Sequence, residues 1–107
     1  MNVYGLKTCD TCRKAIKALE GAGHAVTFVD VRATPLDAQA RARFLAAFGE
    51  ALVNRKSTTW RGLDEAARAM TPDAVLTAHP TLMKRPVIDA NGQLYLGWGK
   101  DVSDVLI

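Results

Sequence analysis

Cys9 and Cys12 are the residues whose type and spacing most directly indicate chemistry. They are the only cysteines in the chain, and two residues separate them. A Cys-x-x-Cys pair that opens a helix after a short apolar run is typical of a redox or nucleophilic thiol site. Zinc binding is the competing use of such a pair, but a zinc site needs two further ligands. His24 and His79 are the only other soft candidates, and neither has zinc-finger spacing, so we predict no metal site.

Cys9 is the predicted nucleophile. At the start of a helix its sulfur would face unpaired backbone N–H groups and the positive end of the helix dipole, and both favour a thiolate. The basic neighbours Lys7 and Arg13 act in the same direction, lowering the pKa from about 8.5 for a free cysteine. Cys12 lies one helical turn further along, where it could resolve a mixed disulfide on Cys9 by thiol exchange. Its alternative role is that of a small buried residue.

Two arginines are candidates for binding an anion. Arg85 precedes Pro86 at the start of an apolar strand, and a cis peptide bond there would position the nearby backbone. Arg85 could then hold a thiolate or an oxyanion, although a surface arginine before a turn explains the sequence equally well. Arg55 lies in the polar basic loop 54–61, where it contributes either to an anion cradle or to ordinary solvated charge.

The elements that would position these residues begin with a β-α-β unit. Asn2–Gly5 reads as a short buried strand, and Thr11–Ala22 as a helix with Asp10 as its N-cap, because apolar residues recur at helical spacing. Residues 25–31 are rich in β-branched side chains and predict a second strand. Short units of this kind favour parallel pairing of their two strands.

The rest of the chain predicts helices followed by a hairpin. An Asn-Gly pair at Asn91 is a strong hairpin signal between apolar runs. The predicted helices are 36–48, 63–70, 72–78 (with Thr71 as cap and Pro72 at its first position) and 101–106, and the late strands are 86–89 and 94–97. This order, with Cys-x-x-Cys at the first strand-to-helix turn, predicts an α/β, thioredoxin-like fold. A helical insertion at about 36–80 would separate its β-α-β and β-β-α parts within one domain, 1–107.

The composition is that of an ordinary globular protein. The hydrophobic fraction is 49%, the charged fraction 23% and the net charge +3. No signal peptide and no membrane span are evident, so we expect a cytosolic protein, where stable structural disulfides are rare. The basic residues are spread along the chain, which favours a solvated surface over nucleic-acid binding. We expect a monomer.

Taken together, these motifs resemble the arsenate reductase (ArsC)-like, thioredoxin-fold family that also contains the Spx type of redox regulator. The resemblance extends in order over nearly the whole chain. It is carried by residues 3–14, which include the cysteine pair, by Asn54-Arg55-Lys56, by Thr59-Trp60-Arg61 and by residues 79–88, which include Arg85-Pro86.

The resemblance implies roles for individual residues. Cys9 takes the place of the family's nucleophile, Arg85 contacts its thiolate and oxyanion, Arg55 belongs to the same site, and Lys7 and Thr8 complete the anion-binding set. The family's arsenate reductases carry a third arginine in the last strand region, but residues 94–99 contain none here. One oxyanion donor is therefore missing, and a charge-assisted hydrogen bond contributes about 1.5–3 kcal/mol.

The resemblance favours one branch of the family. Cysteine at the position of Cys12 is uncommon in the glutaredoxin-coupled arsenate reductases, whereas the Spx type uses Cys-x-x-Cys as a disulfide switch. Thr59-Trp60-Arg61 and Gly97-Trp98-Gly99 look more like a branch described as glutathione-dependent thiol reductases. We therefore expect a thiol-disulfide oxidoreductase with glutathione as co-substrate and no bound cofactor. The alternatives are a regulator that binds RNA polymerase, and a true arsenate reductase assisted by glutaredoxin.

Overall fold

The computed structural model describes residues 1–107, which form two compact units. The first unit combines residues 1–34 with residues 85–107, and the second contains residues 35–84. The sequence predicted a helical insertion at about 36–80, close to the bounds of the second unit. Each unit is described in turn.

The first unit contains a four-stranded mixed sheet in the order β2-β1-β3-β4. β1 pairs parallel with β2, antiparallel pairing joins β1 to β3 and β3 to β4, and Val3 lies opposite both Phe28 and Ile88. The parallel pair follows from the α-helical crossover between β1 and β2, and Asn91-Gly92 closes the β3–β4 hairpin. The elements are β1 (Asn2–Gly5), α1 (Asp10–Gly21), β2 (Thr27–Asp30), β3 (Val87–Ala90), β4 (Gln93–Leu96) and the last helix, Lys100–Leu106.

One face of this sheet and two helices enclose the core of the first unit. Alternate residues of β1 and β3 supply side chains to it, and α1 and the last helix supply apolar positions at helical spacing. Trp98 is partly buried against the same cluster. The buried members are Val3, Leu19, Ile88, Val102 and Leu106.

The second unit is helical, and local capping residues define its helices. Asp37, Ser57, Asp64 and Thr71 each accept a hydrogen bond from the backbone N–H three residues ahead, as N-cap residues do. The helices are α2 (Ala38–Phe48), α3 (Thr58–Arg61), α4 (Glu65–Arg68) and α5 (Pro72–Ala78), with short 3₁₀ turns at Gly49–Leu52 and Pro80–Leu82. By chain order the helix Lys100–Leu106 is then α6.

Buried apolar side chains hold the second unit together. Helices α2 and α5 contact each other, and Arg41 on α2 forms an ion pair with Asp73 on α5, with 2.9 Å between Nε and Oδ1. The buried side chains are Phe44, Leu52, Val53, Val75, Leu76, Leu82 and Met83. No helix in either unit combines the length and apolar content needed to cross a membrane.

The structure corrects two local predictions. Cys9, not Asp10, is the N-cap of α1, because the Cys9 carbonyl already accepts the N–H of Arg13 (3.1 Å) and the helix therefore begins at Asp10. The polar loop 54–61 contains the short helix α3, since Ser57 caps it. The predicted helix over 72–78, with its Thr71 cap and Pro72, is confirmed, while the helix predicted over 63–70 is shorter.

Candidate active site

The candidate active site is the turn that joins β1 to α1. The Cys9 N–H donates to the Leu6 carbonyl (3.1 Å), which closes the turn directly after the strand. Cys9 then occupies the N-cap position with extended backbone angles, φ −84° and ψ 116°. The first N–H groups of a helix lack partners within the helix, so the Cys9 sulfur lies next to backbone donors.

The structure brings Cys9, Cys12 and Arg85 together in the first unit. Cys9 is half-buried, and burial by itself raises the pKa of its thiol. Hydrogen bonding of the thiolate by the backbone N–H and thiol of Cys12 and by Arg85, together with the Arg85 charge, outweighs burial. The pKa of Cys9 consequently lies below the ordinary value of 9.0. The thiolate is the nucleophilic form of cysteine, and a partly exposed cysteine with a lowered pKa forms it more readily.

Cys12 has the opposite environment. Its side chain is fully buried, and this desolvation is the largest effect that raises its pKa to about 11. The Cys9 thiolate beside it adds to the increase, while a backbone hydrogen bond from Leu6 and the charge of Arg85 act against it. The two cysteines therefore form an asymmetric pair in which Cys9 ionises more readily than an ordinary thiol and Cys12 less readily.

Gly5 makes room for this pair, a role that the sequence analysis did not identify. A Cβ atom added at Gly5 would overlap the Cys12 sulfur and lie 3.3 Å from the Cys12 Cβ. The last residue of β1 must therefore lack a side chain for Cys12 to be buried against the strand. A glycine inside an apolar strand is a known signal of such close approach, and it was present in the sequence.

Asp30, at the end of β2, holds the cysteine-bearing turn in place and was also missed. Its carboxylate accepts the backbone N–H of Lys7 (3.2 Å), Arg32 (2.9 Å) and Ala33 (3.2 Å). Desolvation raises the pKa of Asp30, but these donors and the nearby Lys7 charge hold it below its usual value. Because β1 and β2 are parallel, their carboxyl ends lie at the same end of the sheet. An acidic residue at the end of the predicted second strand could therefore have indicated a contact with the cysteine turn.

The other predicted site residues lie in different settings. Lys7 and Thr8 are exposed on the turn before Cys9, and Pro86 is buried beyond a cis peptide bond with Arg85. Arg55 lies in the second unit, where its guanidinium stands over the Trp60 ring at 5.5 Å from the centroid. The assignment of Arg55 to the Cys9 site stays a prediction.

Neither a metal-ligand cluster nor an arginine in the last strand region is present. No group of three or more His, Cys, Asp or Glu side chains is arranged to hold a metal ion. The Arg13 guanidinium pairs with the Asp10 carboxylate on the exposed first turn of α1. β4 and the segment after it contain no arginine.

Comparison with known proteins supports this fold. Residues 4–104 match the ArsC family model. An uncharacterized protein of Haemophilus influenzae is 38% identical over 105 residues, which cover 94% of this chain and 92% of that protein. A solved structure of a protein named YFFB (PA3664) shares 34% identity with a TM-score of 0.88, covering 98% of this chain and 96% of the other.

A second solved structure is that of an arsenate reductase (ArsC) related protein from Brucella melitensis. It shares 36% identity with a TM-score of 0.76, covering 97% of this chain and 91% of the other. These matches extend over nearly the whole chain and include the cysteine turn, so the predicted thioredoxin-like α/β fold is confirmed. The chain therefore belongs to the ArsC family, and this membership supports a thiol reductase-like function.

Proposed function

We propose that this protein is a cytosolic thiol-disulfide oxidoreductase that uses glutathione to reduce mixed disulfides, with Cys9 as its nucleophile. The observation that carries the proposal is the asymmetry of the two thiols. Cys9 is half-buried with a lowered pKa, whereas Cys12 is fully buried with a pKa raised to about 11. A cytosolic location belongs to the proposal because the glutathione pool there keeps thiols reduced.

The first step is attack by the Cys9 thiolate on the glutathione sulfur of a mixed disulfide. An S–S bond forms between Cys9 and glutathione while the substrate S–S bond breaks, and the substrate leaves as a thiolate that takes a proton from water. Arg85 stabilises the attacking thiolate because its charge and hydrogen bond favour the ionised form. Cys9 is thereby oxidised to a mixed disulfide, and the substrate is reduced.

A second glutathione then releases Cys9. Its thiolate attacks the glutathione sulfur of the intermediate, so that oxidised glutathione forms and the Cys9 thiolate is regenerated. Cys12 is the competing attacker, but burial raises the pKa of its thiol, so only a small fraction of Cys12 is ionised at pH 7. Burial is the largest cause of that pKa and persists in the intermediate, so external glutathione is favoured as the resolving thiol.

Turnover of a glutathione mixed disulfide, measured with wild type, Cys9→Ser and Cys12→Ser, tests the proposal. We expect Cys9→Ser to lose activity by at least about a thousandfold, because a serine hydroxyl does not perform thiol exchange. Cys12→Ser should retain most of the activity. Equal activity of wild type and Cys9→Ser would refute the proposal, and loss of activity in Cys12→Ser would move the resolving step to Cys12.

The two alternatives predict different outcomes in the same protein preparation. A true arsenate reductase would produce arsenite from arsenate with glutathione and glutaredoxin, which the absence of arginine from residues 94–99 disfavours. An Spx-type regulator would capture RNA polymerase only when Cys9 and Cys12 are in one of their two oxidation states. Either result, in the absence of mixed-disulfide turnover, would replace the proposed function.

A further inference from the structure

A pocket in the second unit has the size and charge to receive a small peptide. Its volume is about 460 Å³, within the range of about 300–1,000 Å³ that is usual for small-molecule sites. Its lining includes three cations, Arg55, Lys56 and Lys84, and one anion, Glu50, and is completed by Ala51, Val53 and Asn54. We call this set of residues the basic pocket.

Backbone pairing keeps the basic pocket in shape without a ligand. Val53 forms an isolated antiparallel bridge with Met83, and the Asn54 N–H donates to the Leu82 carbonyl (2.8 Å). The Lys84 N–H donates to the Leu52 carbonyl (2.6 Å) on the other side of that bridge. The backbone that carries the charged pocket residues is therefore held by hydrogen bonds before a ligand binds. Less conformational entropy is then lost on binding.

Arg55 is oriented by two neighbours but keeps binding capacity. Its guanidinium stands over the Trp60 ring, and its Nη2 lies 3.5 Å from Glu50 Oε1. The two side chains are 48% and 73% exposed, and exposed pairs of this kind are weak. A guanidinium has five N–H donors and a carboxylate about four acceptor positions, so both groups can bind a ligand while they remain neighbours.

The neighbouring positive and negative charges of Arg55 and Glu50 are complementary to a ligand that carries a carboxylate and an ammonium side by side. An α-amino acid carries an ammonium and a carboxylate on one carbon, and free glutathione presents such a group at its γ-glutamyl end. We propose that the basic pocket binds this end, with the ligand carboxylate on Arg55 and the ligand ammonium on Glu50. Lys56 and Lys84 remain for the second carboxylate of the peptide.

This assignment rests on the proposed use of glutathione and makes Glu50 the residue that determines specificity. A ligand that is purely anionic, such as inorganic phosphate, would meet the Glu50 carboxylate as a repelling charge. An α-amino acid end instead satisfies both members of the Glu50–Arg55 pair. The basic pocket should therefore distinguish a zwitterionic end from a simple anion of similar charge.

The experiment is a binding titration followed by NMR, with S-methylglutathione as an unreactive probe and its N-acetyl derivative as the matched ligand without the ammonium. We expect Glu50→Gln to weaken binding of S-methylglutathione by about three- to tenfold. Binding of the N-acetyl derivative should instead be strengthened, because that ligand is purely anionic and Glu50 repels it. Glu65→Gln, an exposed glutamate of the same unit outside the pocket, is the control and should have no effect.

Two outcomes would overturn the assignment. Equal loss of affinity for both ligands in Glu50→Gln would show that Glu50 does not contact the ammonium. Displacement of S-methylglutathione by inorganic phosphate at similar concentration would make the basic pocket a general anion site. Because the probe cannot react, these outcomes are independent of mixed-disulfide turnover, which tests the proposed function separately.

Discussion

The cysteine turn and the basic pocket use charge in different ways. Cys9 ionises among backbone N–H groups and a half-buried arginine, next to a fully buried second thiol. The basic pocket carries its charges on exposed side chains, and its Glu50–Arg55 pair is 3.5 Å apart in water. Partly buried charges are screened less than exposed ones, and exposed pairs contribute only about 0–1 kcal/mol. The first region can therefore set reactivity, and the second is suited to recognition.

The largest expected effect tests whether Cys12 is a buried neutral thiol. Its pKa is raised from 9.0 to about 11 in the folded protein, so between these values the native state keeps a proton that the unfolded chain loses. Stability should then fall as pH rises, by about 2–3 kcal/mol between pH 9 and pH 11. Urea unfolding of wild type and Cys12→Ala under reducing conditions measures this difference. An identical pH dependence in the two proteins would contradict the burial of a neutral Cys12.

The next effect tests the contribution of Arg85 to the reactive thiol. Arg85→Ala should raise the pKa of Cys9, because it removes both the charge and the hydrogen bond that favour the thiolate. A charge-assisted hydrogen bond of about 1.5–3 kcal/mol corresponds to about a 10- to 100-fold change in the acid dissociation constant of Cys9. The loss of turnover at neutral pH should be smaller, because a more basic thiolate is a better nucleophile.

The pH dependence of Cys9 alkylation, with mass mapping of the modified residue, measures the change in pKa directly. Arg85→Lys is the matched control, since it keeps the charge without the planar fork and should fall between wild type and alanine. A Cys9 alkylation profile that is the same in all three proteins would remove Arg85 from the site.

A third change tests how tightly the cysteine turn is packed. Gly5→Ala places a methyl group on the Cys12 sulfur and should destabilise the protein by about 1–3 kcal/mol. The same substitution in a Cys12→Ala background should cost less, because the overlapping atom is gone. Gly21→Ala meets no atom within 4 Å and serves as the control, with stability unchanged or raised by about 0.5–1 kcal/mol. Additive losses in the double variant would show that Gly5 and Cys12 are not in contact.

The smallest effect compares the two regions in a single experiment. Raising salt from about 0.05 M to about 0.5 M should weaken S-methylglutathione binding about two- to threefold, because exposed charges are screened. The pH profile of Cys9 alkylation should hardly move over the same range. A shift in the alkylation profile as large as the change in binding would show that the two regions do not differ in their exposure to solvent.

Local signals accounted for the elements that the sequence predicted well. The strand Asn2–Gly5 and the helix Pro72–Ala78 were predicted at their observed bounds. The start of the helix was predictable because Thr71 is a favourable N-cap residue and Pro72 a favourable first residue. The helix α3 was missed since it has four residues, and a single Ser57 cap within a polar segment is a weak signal. Local propensity could not distinguish such a turn from a loop.

The sequence by itself determined the cysteine pair and its place at the strand-to-helix turn. These follow from spacing along the chain, which fixes which groups lie one helical turn apart. Only the tertiary structure decided that Gly5 leaves space for Cys12, that Asp30 holds the cysteine turn, and that the two thiols differ in pKa. Each of these depends on burial or on contacts between distant residues, because desolvation and hydrogen bonding are set by neighbours that chain spacing does not specify.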